Sequence, residues 1–226
     1  MVGVAVAVLA AAAAPASGAP LVVSPATLFV QSGPATIDVP IRYARFGGAG
    51  AIVTGTPLDV GGTWTVGGGT WTRLSGAADL VSGTGRSHLW VDSGRADHEV
   101  RVTVVPQNSA SSRRGGVVLR GSATTTYLQV LYRHTSPAGR VELQKVAPTG
   151  VTTLAAVSLP GTSRPSSIRL AARATGPSVQ VRIAGTLVLT HTLTGGDAGT
   201  YGSGSRTGIT TDGDGRTSLD ELEVWR

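Results

Sequence analysis

Short stretches in which apolar and polar residues alternate, each closed by a turn signal, constrain this chain more than any other feature. Over 125–134, Leu128, Val130 and Tyr132 fall on one side of an extended backbone, while Tyr127, Gln129 and Arg133 fall on the other. Val179, Val181 and Ile183 oppose Gln180 and Arg182 in the same way, and Ile168, Leu170 and Ala172 oppose Arg169 and Arg173. A period of two over so few residues fits a half-buried antiparallel strand, with one face in the core and the other wet. Strands are expected over 97–105, 116–122, 125–134, 140–146, 167–173, 178–183 and 186–193, with Ala184-Gly185 as the turn of a hairpin. No segment shows a convincing helical period.

The 32 glycines and 12 prolines punctuate these strands as tight turns would. With no cysteine, neither disulfides nor a thiolate metal site can hold the fold, so a sizeable apolar core must. A chain of 226 residues suits one all-β sandwich plus an N-terminal extra, with the sandwich over 45–226 and the extra over 1–44. The net charge of +6 is carried almost wholly by arginine, since Lys145 is the only lysine. The arginines are scattered without a run of four, so nucleic acid is not an expected partner.

Residues 2–14 are apolar throughout and lead into Pro15-Ala16-Ser17-Gly18-Ala19-Pro20, where a signal peptidase would accept cleavage after Ala19. No Lys or Arg precedes the run, however, and it is shorter than the ~20 residues that a spanning helix needs. The reading adopted is an extended, uncleaved arm that pairs with a second copy or another subunit, with no stable membrane span and with oligomerisation as its consequence. A cleaved signal is the alternative. Short strand candidates at 21–23, 27–30 and 36–39 lie between Pro and Gly breaks and are too few for a core of their own.

Several motifs recur in the order of a known family. They are Gly61-Gly62-Thr63-Trp64-Thr65-Val66 with Gly69-Thr70-Trp71-Thr72, the run from Trp90 through Asp92-Ser93-Gly94 to Val100, and Gly115-Gly116-Val117-Val118-Leu119-Arg120. Val141-Glu142-Leu143-Gln144-Lys145-Val146, the hairpin around Ala184-Gly185 and the closing Ser218-Leu219-Asp220-Glu221-Leu222-Glu223-Val224 complete the set. Over 45–226 the chain resembles concanavalin-like and laminin-G-like jelly rolls. The resemblance implies an antiparallel jelly-roll sandwich of the kind found in minor tail or decoration proteins of actinobacterial viruses and in secreted actinobacterial proteins. It implies a non-enzymatic virion structural protein, at a tail or virion surface, that displays the jelly roll and touches a host-envelope glycan. A secreted carbohydrate-binding or adhesion module is the alternative.

The polar side of the central strands, Arg120, Tyr127, Gln129, Arg133, Glu142 and Gln144, is the candidate ligand face, because it joins one aromatic ring to fork-like donors and acceptors. A plain solvated face is the competing reading. Trp64, Trp71 and Trp90 are expected to plug the core rather than stack on sugar. Asp212, Asp214 and Asp220 fall at calcium-loop spacing, but Arg216 and Thr217 stand where a ligand and a glycine are needed, so calcium is possible and no cofactor is required. No catalytic residue is expected. The histidines His88, His98, His134 and His191 lie in separate strands, and no nucleophile elbow or glucanase-type carboxylate spacing is present.

Overall fold

The computed structural model describes residues 39–83, 85–107, 114–135, 137–161, 163, 165–212 and 217–226. The expected arm therefore lies outside the described residues except for its last few. The strands, in chain order, are β1 Arg42–Ala44, β2 Gly50–Ile52, β3 Thr65–Val66, β4 Thr70–Leu74, β5 Ala77–Ser82, β6 Arg86–Asp92, β7 His98–Pro106 and β8 Arg114–Ala123. They continue as β9 Thr126–Arg133, β10 Arg140–Ala147, β11 Gly150–Ser158, β12 Ile168–Thr175, β13 Ser178–Ile183, β14 Thr186–Thr192, β15 Arg206–Asp212 and β16 Thr217–Trp225. One helix, α1 Gly195–Tyr201, lies between β14 and β15.

Two antiparallel sheets pack face to face as a jelly-roll sandwich. The back sheet runs β14-β13-β12-β7-β16-β5-β4-β2, with β1 also on β16, and the front sheet runs β11-β10-β9-β8-β15-β6-β3. β1 pairs Arg42 with Val224 and Ala44 with Leu222, so these residues belong to the sandwich although they precede the boundary expected at residue 45. The core between the sheets is filled by Val100, Val102 and Val104 of β7, Leu170 and Ala172 of β12 and Val179 and Val181 of β13, facing Leu119, Leu128, Val130 and Leu143. Trp64 and Trp71 are buried in the same core.

The back-sheet strands β7, β12 and β13 keep the alternation read from the sequence. Ala184 and Gly185 both take positive φ, 47° and 84°, as the two-residue turn between β13 and β14 requires. The front sheet departs from expectation. β9 is buried on both faces from Tyr127 to Tyr132, so its polar side is not wet but enclosed. β15 escapes an alternation argument for the same reason, since Thr207, Thr210 and Thr211 are all buried. α1 corrects the expectation of no helix. Its sequence, rich in glycine, has little helix propensity, and tertiary packing holds it: Tyr201 is buried in the core with Ala198 packed against it.

Candidate functional site

The outer face of the front sheet gathers most of the candidate ligand residues. Gln129 and Gln144 are directly opposite each other in the β9–β10 register. The Gln129 amide donates to Gln144 Oε1 at 2.7 Å, and Gln144 Nε2 donates to Glu142 Oε2 at 2.9 Å and to Thr153 Oγ1 at 3.5 Å. Glu142 is flanked by Arg140 at 3.4 Å and Arg133 at 3.8 Å, both of which reach solvent. Tyr127 sits at the other end of the ladder against His88 and Trp90, with ring centroids 5.2 and 5.9 Å away. Sequence reasoning missed His88, and it assigned Trp90 to the core between the sheets. Trp90 is instead the centre of a second apolar cluster with Val118, Tyr127 and Val146.

This face is closed at its centre. Trp90 is 0 %, Tyr127 and Gln129 are 1 %, and Glu142 and Gln144 are 6 % exposed. His88 Nδ1 and Nε2, Trp90 Nε1 and Gln129 Oε1 are buried without a partner among the described residues. Burial, ahead of the nearby Arg86 charge, pushes the His88 imidazole down to about 4, so it is neutral at physiological pH.

Arg120 does not belong to this face. Strict alternation after Val118 would point it outward, but the β8–β9 register shifts between Leu119 and Ala123, and Arg120 takes a φ of 50°. Its side chain, fully buried, turns to the back sheet instead, where it donates to Ala96 O at 3.1 Å, Asp97 Oδ1 at 2.7 Å and Gly176 O at 2.5 Å. The Gly176 N–H, followed by the Arg120 guanidinium, holds the Asp97 carboxyl below the usual carboxylate range. His98, next in the chain, is likewise buried. Its Nδ1 lies 3.1 Å from Arg95 O, and burial lowers it to about 4, with the Arg120 charge adding to the effect.

Two of the candidate calcium residues, Asp212 and Asp220, lie in different sheets. Asp212, at the end of β15 in the front sheet, pairs with Arg114 at 2.6 Å, and Asp220 lies on β16 in the back sheet with its pKa raised by burial. Asp214 lies outside the described residues. Among the described residues no group of three His, Cys, Asp or Glu side chains is placed to hold a metal. No helix among them is long and apolar enough to cross a membrane.

Two clefts among the described residues are open. One, of about 400 Å³, lies between the β10–β11 turn and α1 and is lined by Lys145, Thr149, Val151, Thr152, Asp197 and Tyr201 among others. Lys145 Nζ donates to both Asp197 oxygens, at 2.8 and 2.9 Å, and Tyr201 Oη donates to Val146 O at 3.0 Å. The other, of about 330 Å³, lies on the back sheet among Arg173, Thr175, Ser178 and Gln180. The first was not visible in the sequence, because α1, which carries Asp197 and Tyr201, has no sequence signal and lies far along the chain from β10, whereas Arg173 and Gln180 of the second stand on the strand faces that the alternation marked as wet.

No protein-family model and no curated protein matches the sequence. Solved structures do match. The carbohydrate-binding module CBM66 of Bacillus subtilis aligns at 13 % identity and a TM-score of 0.53, covering 72 % of this chain and 95 % of that one. The CBM2 module of the evolved Dit of Lactobacillus casei BL23 phage J-1 aligns at 10 % identity and a TM-score of 0.51, covering 83 % of this chain and 95 % of the module. The GH43 protein BlXynB of Bacillus licheniformis aligns at 13 % identity and 0.54, covering 81 % of this chain but only 39 % of its own length. The chain is thus a β-sandwich module with the fold that these carbohydrate-binding modules share.

Proposed function

We propose that the protein is a non-enzymatic, glycan-binding β-sandwich module of a virion, a minor tail or capsid decoration component that touches a host-envelope glycan. The observation that carries this reading is that whole modules match, not fragments. The sandwich takes in 95 % of a bacterial carbohydrate-binding module and 95 % of a module from a phage Dit. On this reading residues 1–44 make the contact with other virion proteins or with a second copy. The test is to apply the full chain to immobilised glycans and host cell envelopes, and to label purified virions with antibody against it. Retention on envelope glycans and label on tail or capsid are expected. A chain that no glycan retains, or that purified virions lack, overturns the reading.

The match to a bacterial carbohydrate-binding module favours a second reading, a secreted adhesion module. Intact mass separates the two, since the virion protein begins at Met1 or Val2 and the secreted one at Pro20.

A further inference from the structure

The ladder on the front sheet is closed at its centre, at 0–6 % exposure, whereas the cleft beside α1 is open. We propose that the cleft between the β10–β11 turn and α1 is the saccharide site, and that it takes a neutral polyhydroxyl ligand of about one or two sugar units. This proposal rests on the glycan-binding reading and gives it a location and a ligand class.

Four properties of the cleft point this way. First, its hydroxyls are available. Thr149, Thr152 and Thr200 are exposed on its walls, and their side chains make no hydrogen bond to other described residues. Second, its charges cancel. The Lys145 ammonium is held by both oxygens of Asp197. That pairing leaves one N–H and several carboxylate lone pairs for ligand hydroxyls while offering no net charge to an ion. An ionic ligand would have to break the pair, whereas a diol can bridge it.

Third, the floor is rigid. Tyr201 is 3 % exposed and tied to Val146 O, and burial raises its phenol further from ionisation, so ring and hydroxyl are fixed before a ligand arrives. Val151, 39 % exposed, adds an apolar patch for the C–H side of a ring. Fourth, access is open. β11 is an edge strand of the front sheet among the described residues, so the cleft beside its turn can be reached without parting the sheets. A volume of about 400 Å³ falls at the lower end of small-ligand sites, which run to about 1,000 Å³.

Lys145 supplies its own reporter, because it is the only lysine in the chain. Biosynthetic incorporation of ε-¹³C-lysine labels this one side chain and leaves its three N–H groups intact. Titrating the labelled full chain with the glycans that retain it should shift the Lys145 ε-methylene resonance. Asp197→Asn should weaken retention at least tenfold, and Thr152→Trp, which fills the cleft from an exposed position, should abolish it. Arg173→Ala, in the cleft on the other sheet, should bind as the parent does. If glycans retain the chain while the Lys145 signal stays still and both cleft variants bind normally, the site is elsewhere and this proposal fails, with the glycan-binding reading intact. If no glycan retains the chain and the signal never moves, both fall.

Discussion

Lowering the pH from 7 to 5 should cost this protein about 4 kcal/mol of stability through two buried imidazoles. His88 and His98 are 3 % and 2 % exposed, and both are lowered by burial from 6.5 to about 4. The unfolded chain therefore binds protons at these sites below pH 6.5, and the folded chain does so only near pH 4. Stability is at its full value above pH 6.5, falls as the pH drops through the window between the two values, and stops falling from this cause below about 4. At pH 5 the unfolded imidazole is almost wholly charged and the folded one almost wholly neutral. The difference from pH 7 is about 2 kcal/mol per histidine, about 4 for the pair. Against a typical domain stability of about 5–15 kcal/mol this is a large fraction. Asp92 and Asp97, whose folded pKa values lie below 3.8, act mainly below this window.

Urea unfolding at pH 7, 6 and 5, followed by tryptophan fluorescence, measures the loss. His88→Phe should halve it to about 2 kcal/mol while keeping a ring against Trp90, whose centroid lies 4.2 Å from that of His88. Stability that stays flat from pH 7 to 5, or a full-sized loss in His88→Phe, would show that the imidazoles are hydrated or already charged in the folded chain. Either result would refute the argument.

Arg120→Met should cost about 2–4 kcal/mol in the same assay, because it strips the Ala96 and Gly176 carbonyls and Asp97 of their donor. A cost below about 1 kcal/mol would mean that this tie between the sheets contributes little. A chain starting at residue 45 should be less stable than one starting at residue 39 by about 2 kcal/mol or more, since it loses β1 and uncovers the edge of β16 beside Leu222 and Val224. Equal denaturation midpoints for the two would place β1 outside the stabilising core.

The sequence by itself determined the fold class and most of the strands. In β7, β12 and β13 one face meets the core and the other meets water, so the chemistry of each residue reports its side of the sheet. The same rule placed Tyr127, Gln129, Glu142 and Gln144 together on one face. Their enclosure was illegible, because Gln and Glu read as solvent-facing until a hydrogen-bonded ladder such as Gln129–Gln144–Glu142 satisfies them away from water. Tertiary structure alone decided Arg120, whose direction turns on one irregularity in the β8–β9 register that no periodicity can locate. It alone also decided the open cleft. Lys145 on β10 and Asp197 on α1 meet only when a helix with no helical sequence signal is packed over the end of the sandwich, and a period read along the chain carries no information about such a meeting.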